Sequence, residues 1–204
     1  MQQRVSGYPP SEVDQVTRRV WALLWAHDEA GASREALRVY GAEVYGFLLG
    51  ALDDPSNASS LYADVQKRVE TEVGGLAALC SLRTWLYLLA RRELRERRLQ
   101  RGQRGERTAS FGRVASGERR ASSSNAISTL RTSLTEEERE LLILRVDRKF
   151  TWREIALTDL GERAVDPERI ALATRAVRER IQAIILRVRQ AAAAEMNDPP
   201  DGRP

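Results

Sequence analysis

With 204 residues, one cysteine (Cys80) and one histidine (His27), the chain has room for one medium domain or two small ones and cannot close a disulfide within itself. No apolar run approaches the roughly 18 residues that a membrane span needs, and no signal-peptide pattern opens the sequence, so a cytoplasmic protein with no membrane partner is expected. There is no phosphate-cradling glycine loop and no His-Glu-x-x-His, and Cys80 and His27 lie far apart. An enzyme is therefore not expected, and neither a metal nor a cofactor.

The net charge of +4 matters less than its placement. Between Arg91 and Arg120 stand eleven arginines against four glutamates, a local +7, so the rest of the chain is acidic at −3. A block of this kind attracts polyanions by neutralising phosphates and releasing counterions. It is equally the composition of a solvated, arginine-rich linker.

In chain order, the first ten residues, with Gly7 and Pro9-Pro10, read as an unstructured lead-in. From Ser11, the apolar residues Val13, Val16, Val20, Leu23 and Leu24 recur at helical spacing, and that helix is expected to end near Gly31. A second helix begins around Ser33 with Leu37, Tyr40, Val44, Phe47 and Leu48 on one face, and closes at Asp53-Asp54-Pro55. A third, capped by Ser56 or Asn57, carries Leu61, Val65 and Val69 to Gly74-Gly75. The fourth, from Ser81 to Gln100, is apolar in its first half and basic in its second. Residues 102–125 turn to Gly, Ser and Arg and read as a flexible tether. Thr135 to Glu138 is a capping-box pattern opening a helix to about Asp147. Thr151 caps a short helix, Trp152 to Leu160, ended by Gly161. After Pro167 a long helix runs to about Glu195, followed by a polar tail.

Two segments carry candidate function. In Ser81 to Arg91, Trp85 and Tyr87 sit on a helix that becomes arginine-rich within a turn. Aromatic faces beside guanidinium groups stack on unpaired bases while arginines hold the backbone; the same spacing also suits plain core packing. From Leu134 to Val188, a capped helix, a short helix, a turn and a long basic helix follow in the order of a helix-turn-helix reader. On the last helix Arg175, Arg178 and Arg180 are candidate contacts to guanine or phosphate. A helical hairpin that contacts another protein has the same signature.

The sequence SLRTWLYLLARRELRERRL resembles the promoter-melting, −10-reading helix of extracytoplasmic-function sigma-70 factors, and YGAEVYGFLLGALDDP resembles the helix that precedes the polymerase-binding helix in that family's domain 2. LTEEERELLILRVDRKFTWREIA and Val177 to Ile181 are similar to the first helices and the recognition helix of its domain 4. The resemblance implies an all-α chain of two small domains: residues 1–32 as a leading segment, 33–101 as a region-2-like domain, 102–124 as linker, 125–195 as a region-4-like helix-turn-helix of winged-helix-like type, and 196–204 as tail. It implies promoter DNA and core RNA polymerase as partners and admits an anti-sigma factor. Trp85, Tyr87, Arg91, Arg92, Arg95 and Arg98 would then melt and hold the −10 strand, Arg175, Arg178 and Arg180 would address the −35 duplex, and Leu61 with Asp64 would meet polymerase.

The sequence also departs from that pattern. Residues 57–64 read Asn-Ala-Ser-Ser-Leu-Tyr-Ala-Asp where the family has an acidic polymerase-docking helix, Arg92 stands where an asparagine is usual, and the segment between Gly161 and Val177 is longer by roughly ten residues. These departures point to a second reading, a sigma-derived DNA-binding regulator or adaptor that no longer docks productively on polymerase.

Overall fold

In the computed structural model, the described residues are 12–52, 54–76, 80–103, 134–161 and 166–197. They form seven α-helices: α1 (Glu12–Trp25), α2 (Glu29–Leu52), α3 (Pro55–Glu72), α4 (Leu82–Gln103), α5 (Glu136–Leu142), α6 (Trp152–Leu160) and α7 (Pro167–Asn197). Among the described residues there is no strand, so the expected all-α class is observed without the wing of a winged helix. The expected lead-in, most of the expected tether and most of the tail lie outside the described residues.

Local chemistry explains the boundaries. Helix α1 stops sooner than its apolar pattern implies, because residues 26–28 form a tight turn with His27 at φ 58°. Gly31 then falls inside α2, where its amide donates to Asp28 Oδ1 at 2.8 Å. The cap of α3 is Asp54 rather than Ser56 or Asn57: its carboxylate accepts from both of their amides, and Pro55 occupies the first helical position, where a missing N–H costs nothing. Thr135 and Thr151 each head a complete capping box, with Glu138 and Glu154 answering. The helix from Glu136 does not run on to Asp147 as an α-helix; its last turn, Ile143–Asp147, widens to a π-turn.

The largest departure from expectation is in the packing. Two domains imply two cores, but the buried apolar residues of the first four helices, among them Val44, Phe47, Leu61, Leu86 and Tyr87, belong to one cluster with Leu141, Leu144, Phe150, Ile155, Val177, Ile181 and Ile184. Helix α4 lies in the middle, packed on α2 and α3 on one side and on α6 on the other. At this junction Tyr87 sits between Phe47 and Phe150, with ring centroids 5.1 and 4.8 Å away. Close approach of the two halves also uses glycines of α2. A Cβ at Gly46 would meet the Arg148 guanidinium at 2.9 Å, and one at Gly50 would meet Ile143 at 3.0 Å. Among the described residues, Leu157 and Ile170 form a separate small cluster, with Cys80 and Leu160 packed against it.

Candidate nucleic-acid interface

The arginines of α4 divide between two faces. Arg92 and Arg97 look toward α3: Arg92 pairs with Glu72 and Glu96 at 3.4 and 3.3 Å, and Arg97 reaches Asp64 at 3.1 Å. Arg91, Arg95 and Arg98 recur at steps of four and three, which places them on one stripe of the helix. A stripe spaced at 91, 95 and 98 would follow the backbone of a bound strand well. In the structure it is occupied by acids from the C-terminal helices.

Arg91 is the centre of that contact. Its guanidinium donates to Glu140 at 3.3 Å, to the Thr158 hydroxyl at 2.9 Å, and lies 3.3 Å from Asp159. Both Arg91 and Glu140 are buried, and burial pulls the Arg91 guanidinium below its ordinary range, with Asp159 opposing the shift. Arg95 pairs with Asp159 and also donates to its carbonyl at 3.3 Å. Its affinity for the proton is likewise lowered, first by burial and then by the neighbouring Arg91 charge. Arg98 bridges Glu136, at 2.9 Å, and Glu140, and Arg101 comes within 3.7 Å of Glu136.

Neither aromatic expected to stack on bases is at the surface. Tyr87 is fully buried and Trp85 is 8 % exposed. The Tyr87 hydroxyl donates to Glu43 at 3.1 Å, and burial followed by that carboxylate raises its pKa well above the ordinary tyrosine value. Arg83, not among the expected contacts, stacks its guanidinium on Phe150 at 4.4 Å, pairs with Glu43, and donates to the Arg148 carbonyl at 2.9 Å. Of the two alternatives that the spacing left open for these aromatics, this arrangement is the core one.

The expected polymerase contacts on α3 are also engaged internally. Leu61 is buried, and Asp64 lies between Arg97 and, at 4.0 Å, Lys67. The exposed surface of this helix carries Ser59, Ser60, Ala63, Lys67 and Glu70 rather than a run of acids.

On α7 the picture differs. Ile170, Val177, Ile181 and Ile184 form its buried stripe, and Arg175 and Arg178 stand exposed on the outer side. Arg180 flanks the stripe and pairs with Glu137 at 2.7 Å, a contact that holds the Glu137 carboxyl below its ordinary range. Arg175 and Arg178 lie nearer the helix start than Arg180, as expected, but not in its first turn. Helix α7 begins at Pro167, where Asp166 accepts from the Glu168 amide at 3.0 Å, so Arg175 is more than two turns in. The extra residues after Gly161 have partly become helix. Two further exposed basic side chains among the described residues, Arg153 in the first turn of α6 and Arg169 in the first turn of α7, were not among the expected contacts.

A cleft of about 460 Å³ opens beside the π-turn, with Leu142, Ile143, Ile185 and Val188 as apolar lining and Arg148 and Arg189 among its charges. No three His, Cys, Asp or Glu side chains among the described residues converge as metal ligands, and no described helix is long and apolar enough to cross a membrane. Compared with protein-family models and with curated proteins, the chain matches none.

Proposed function

We propose that the chain is a sigma-70-type transcription initiation factor of the extracytoplasmic-function kind, with α4 serving the −10 strand and the α6–α7 pair serving the −35 duplex. The observation that carries this reading is the concentration of arginines at two places in one all-helical chain, the first of them paired with acids of the C-terminal helices in this structure. One is the stripe Arg91, Arg95 and Arg98 on α4; the other is the exposed set Arg153, Arg169, Arg175 and Arg178 on α6 and α7. Arginine stripes of this spacing neutralise successive phosphates, and a helix pair joined by a glycine turn is the element that enters a major groove. No covalent chemistry is involved. The protein would lower the cost of strand opening by binding the opened strand, a conformational change of a few kcal/mol per unpaired base.

A second reading, a DNA-binding adaptor that has lost productive polymerase docking, is favoured by α3. Its only acid in the expected docking stretch, Asp64, is already engaged by Arg97. Transcription with purified core polymerase on a promoter library separates the two: template-directed transcripts support the initiation factor, and duplex binding without transcripts supports the adaptor. At the level of residues, Arg178→Ala should weaken binding to the preferred duplex by about 1–3 kcal/mol and leave scrambled duplex little changed. Arg180→Ala should weaken both duplexes slightly and alike. Equal losses on the two duplexes for Arg178→Ala would reduce that residue to a phosphate contact.

A further inference from the structure

The C-terminal helices present their acids to the one face of α4 whose arginines are spaced to follow a polyanion. Glu136 and Glu140 stand four apart on consecutive turns of α5, and Asp159 and Thr158 close the end of α6. Together they meet Arg91, Arg95 and Arg98 in turn: Asp159 with Arg91 and Arg95, Glu140 with Arg91 and Arg98, Glu136 with Arg98. Three carboxylates along one stripe of arginines repeat what three phosphates of a strand would do there. The match extends to apolar groups, because Phe150 from the same half covers the Tyr87 ring and takes the Arg83 guanidinium on its own face.

We infer that Glu136, Glu140 and Asp159 are an internal mimic of nucleic acid: an acidic latch that occupies the arginine stripe of α4 and holds the chain in a self-blocked state until a competing polyanion displaces it. This rests on the reading of α4 as the strand-binding helix. The chemistry favours a displaceable contact over a permanent one at its rim. Glu136 and Asp159 are 34 % and 40 % exposed, so their pairs are open to water and salt, and exposed pairs of this kind are individually weak. Glu140, with no exposure, is the firm part, held by both Arg91 and Arg98 while the latch is closed. Opening would expose Arg91 and Glu140 together, so it needs phosphates to replace the carboxylates as the arginines' partners. It would also take Phe150 off Tyr87, uncovering the aromatic face that the closed arrangement hides.

The full-length chain and its double variant Glu136→Gln/Asp159→Asn test this, since both side chains are partly exposed and their amides keep the shape. A fluorescein-labelled single-stranded 20-mer oligodeoxynucleotide serves as probe, with the radius of gyration measured by solution scattering with and without it. The double variant should bind the oligonucleotide roughly tenfold more tightly at low salt, as two weak surface pairs together allow. It should also have the larger radius. Adding Arg95→Gln to the double variant should remove most of the gain, because Asp159→Asn takes away the acid that holds Arg95 and the freed arginine is a binding group. Equal affinity and equal radius for wild type and double variant would overturn the latch. An increased radius with no oligonucleotide binding in either protein would overturn the strand-binding reading of α4, and the mimicry with it.

Discussion

Tyr87 illustrates how one residue changes meaning between sequence and structure. Its place in a tryptophan- and arginine-rich helix suggests a base-stacking surface, and the alanine variant would then fold normally. In the folded chain it is fully buried between Phe47 and Phe150, so Tyr87→Ala should destabilise the protein by about 3–5 kcal/mol in urea unfolding, the range for deleting a large core aromatic. Tyr87→Phe separates packing from polarity: it keeps the ring and loses only the bond to Glu43, and should cost about 0.5–1.5 kcal/mol. An alanine variant as stable as wild type would mean that the ring is not held in the core. Arg91 changes meaning in the same way. Its number of charges is legible in the sequence, but its role as a buried donor to Glu140 and Thr158 depends on residues 49 and 67 positions away. Pairings at that separation are set by tertiary packing and leave no local pattern.

At the scale of the element, the capping threonines carry the clearest consequences. Thr135→Ala and Thr151→Ala should each cost about 1 kcal/mol, because each removes an acceptor for an otherwise unpaired amide at a helix start. Glu138, which completes the first box, is also held by Arg187 at 2.7 Å, and that bond first, then the Thr135 amide, keeps its carboxyl below the ordinary 4.5. A carboxyl whose folded pKa lies below its unfolded value contributes stability that is present above about pH 4.5 and is lost as pH falls through the lower folded value. Glu138→Gln should therefore narrow the stability difference between about pH 6 and about pH 3 by up to ~1 kcal/mol, measured by denaturant midpoints at the two values. An unchanged difference would show that the pair contributes nothing to acid sensitivity. These elements were legible because capping and amphipathic spacing are local: Thr135, Thr151, Gly161 and Pro167 announce their helix ends within four residues. The end of α1 was not legible, since nothing in the apolar pattern before Gly31 foretells a positive-φ turn at His27. Nor was the π-turn at Ile143–Asp147, which fits the helix end against Gly50 of α2, a partner about ninety residues earlier.

For the whole molecule, the question is whether the first four helices and the last three behave as one unit. Charge and composition suggested a tether between two independent domains, because a Gly/Ser/Arg segment separates two amphipathic sets. Periodicity reveals which face of a helix is apolar but not which helix covers it. The packing supplies what the pattern lacks: Phe150 enters beneath α4, Ile143 reaches Gly50, and the Arg139 guanidinium donates to the Ala51 carbonyl at 3.4 Å, so the two sets share one buried cluster. A shared core couples the unfolding of its parts, whereas independent domains melt separately. Scanning calorimetry of the full chain should therefore show a single heat-absorption peak. Phe150→Ala is the sharper test, since this ring touches both Tyr87 and the Arg83 guanidinium across the junction. Its removal should cost about 3–5 kcal/mol, and because the loss falls on the contact between the halves, the single peak should broaden or split into two. Two well-separated peaks already in the wild-type chain would instead mean that the halves fold independently. The contact on α4 would then be a docking of two finished domains rather than part of a shared core.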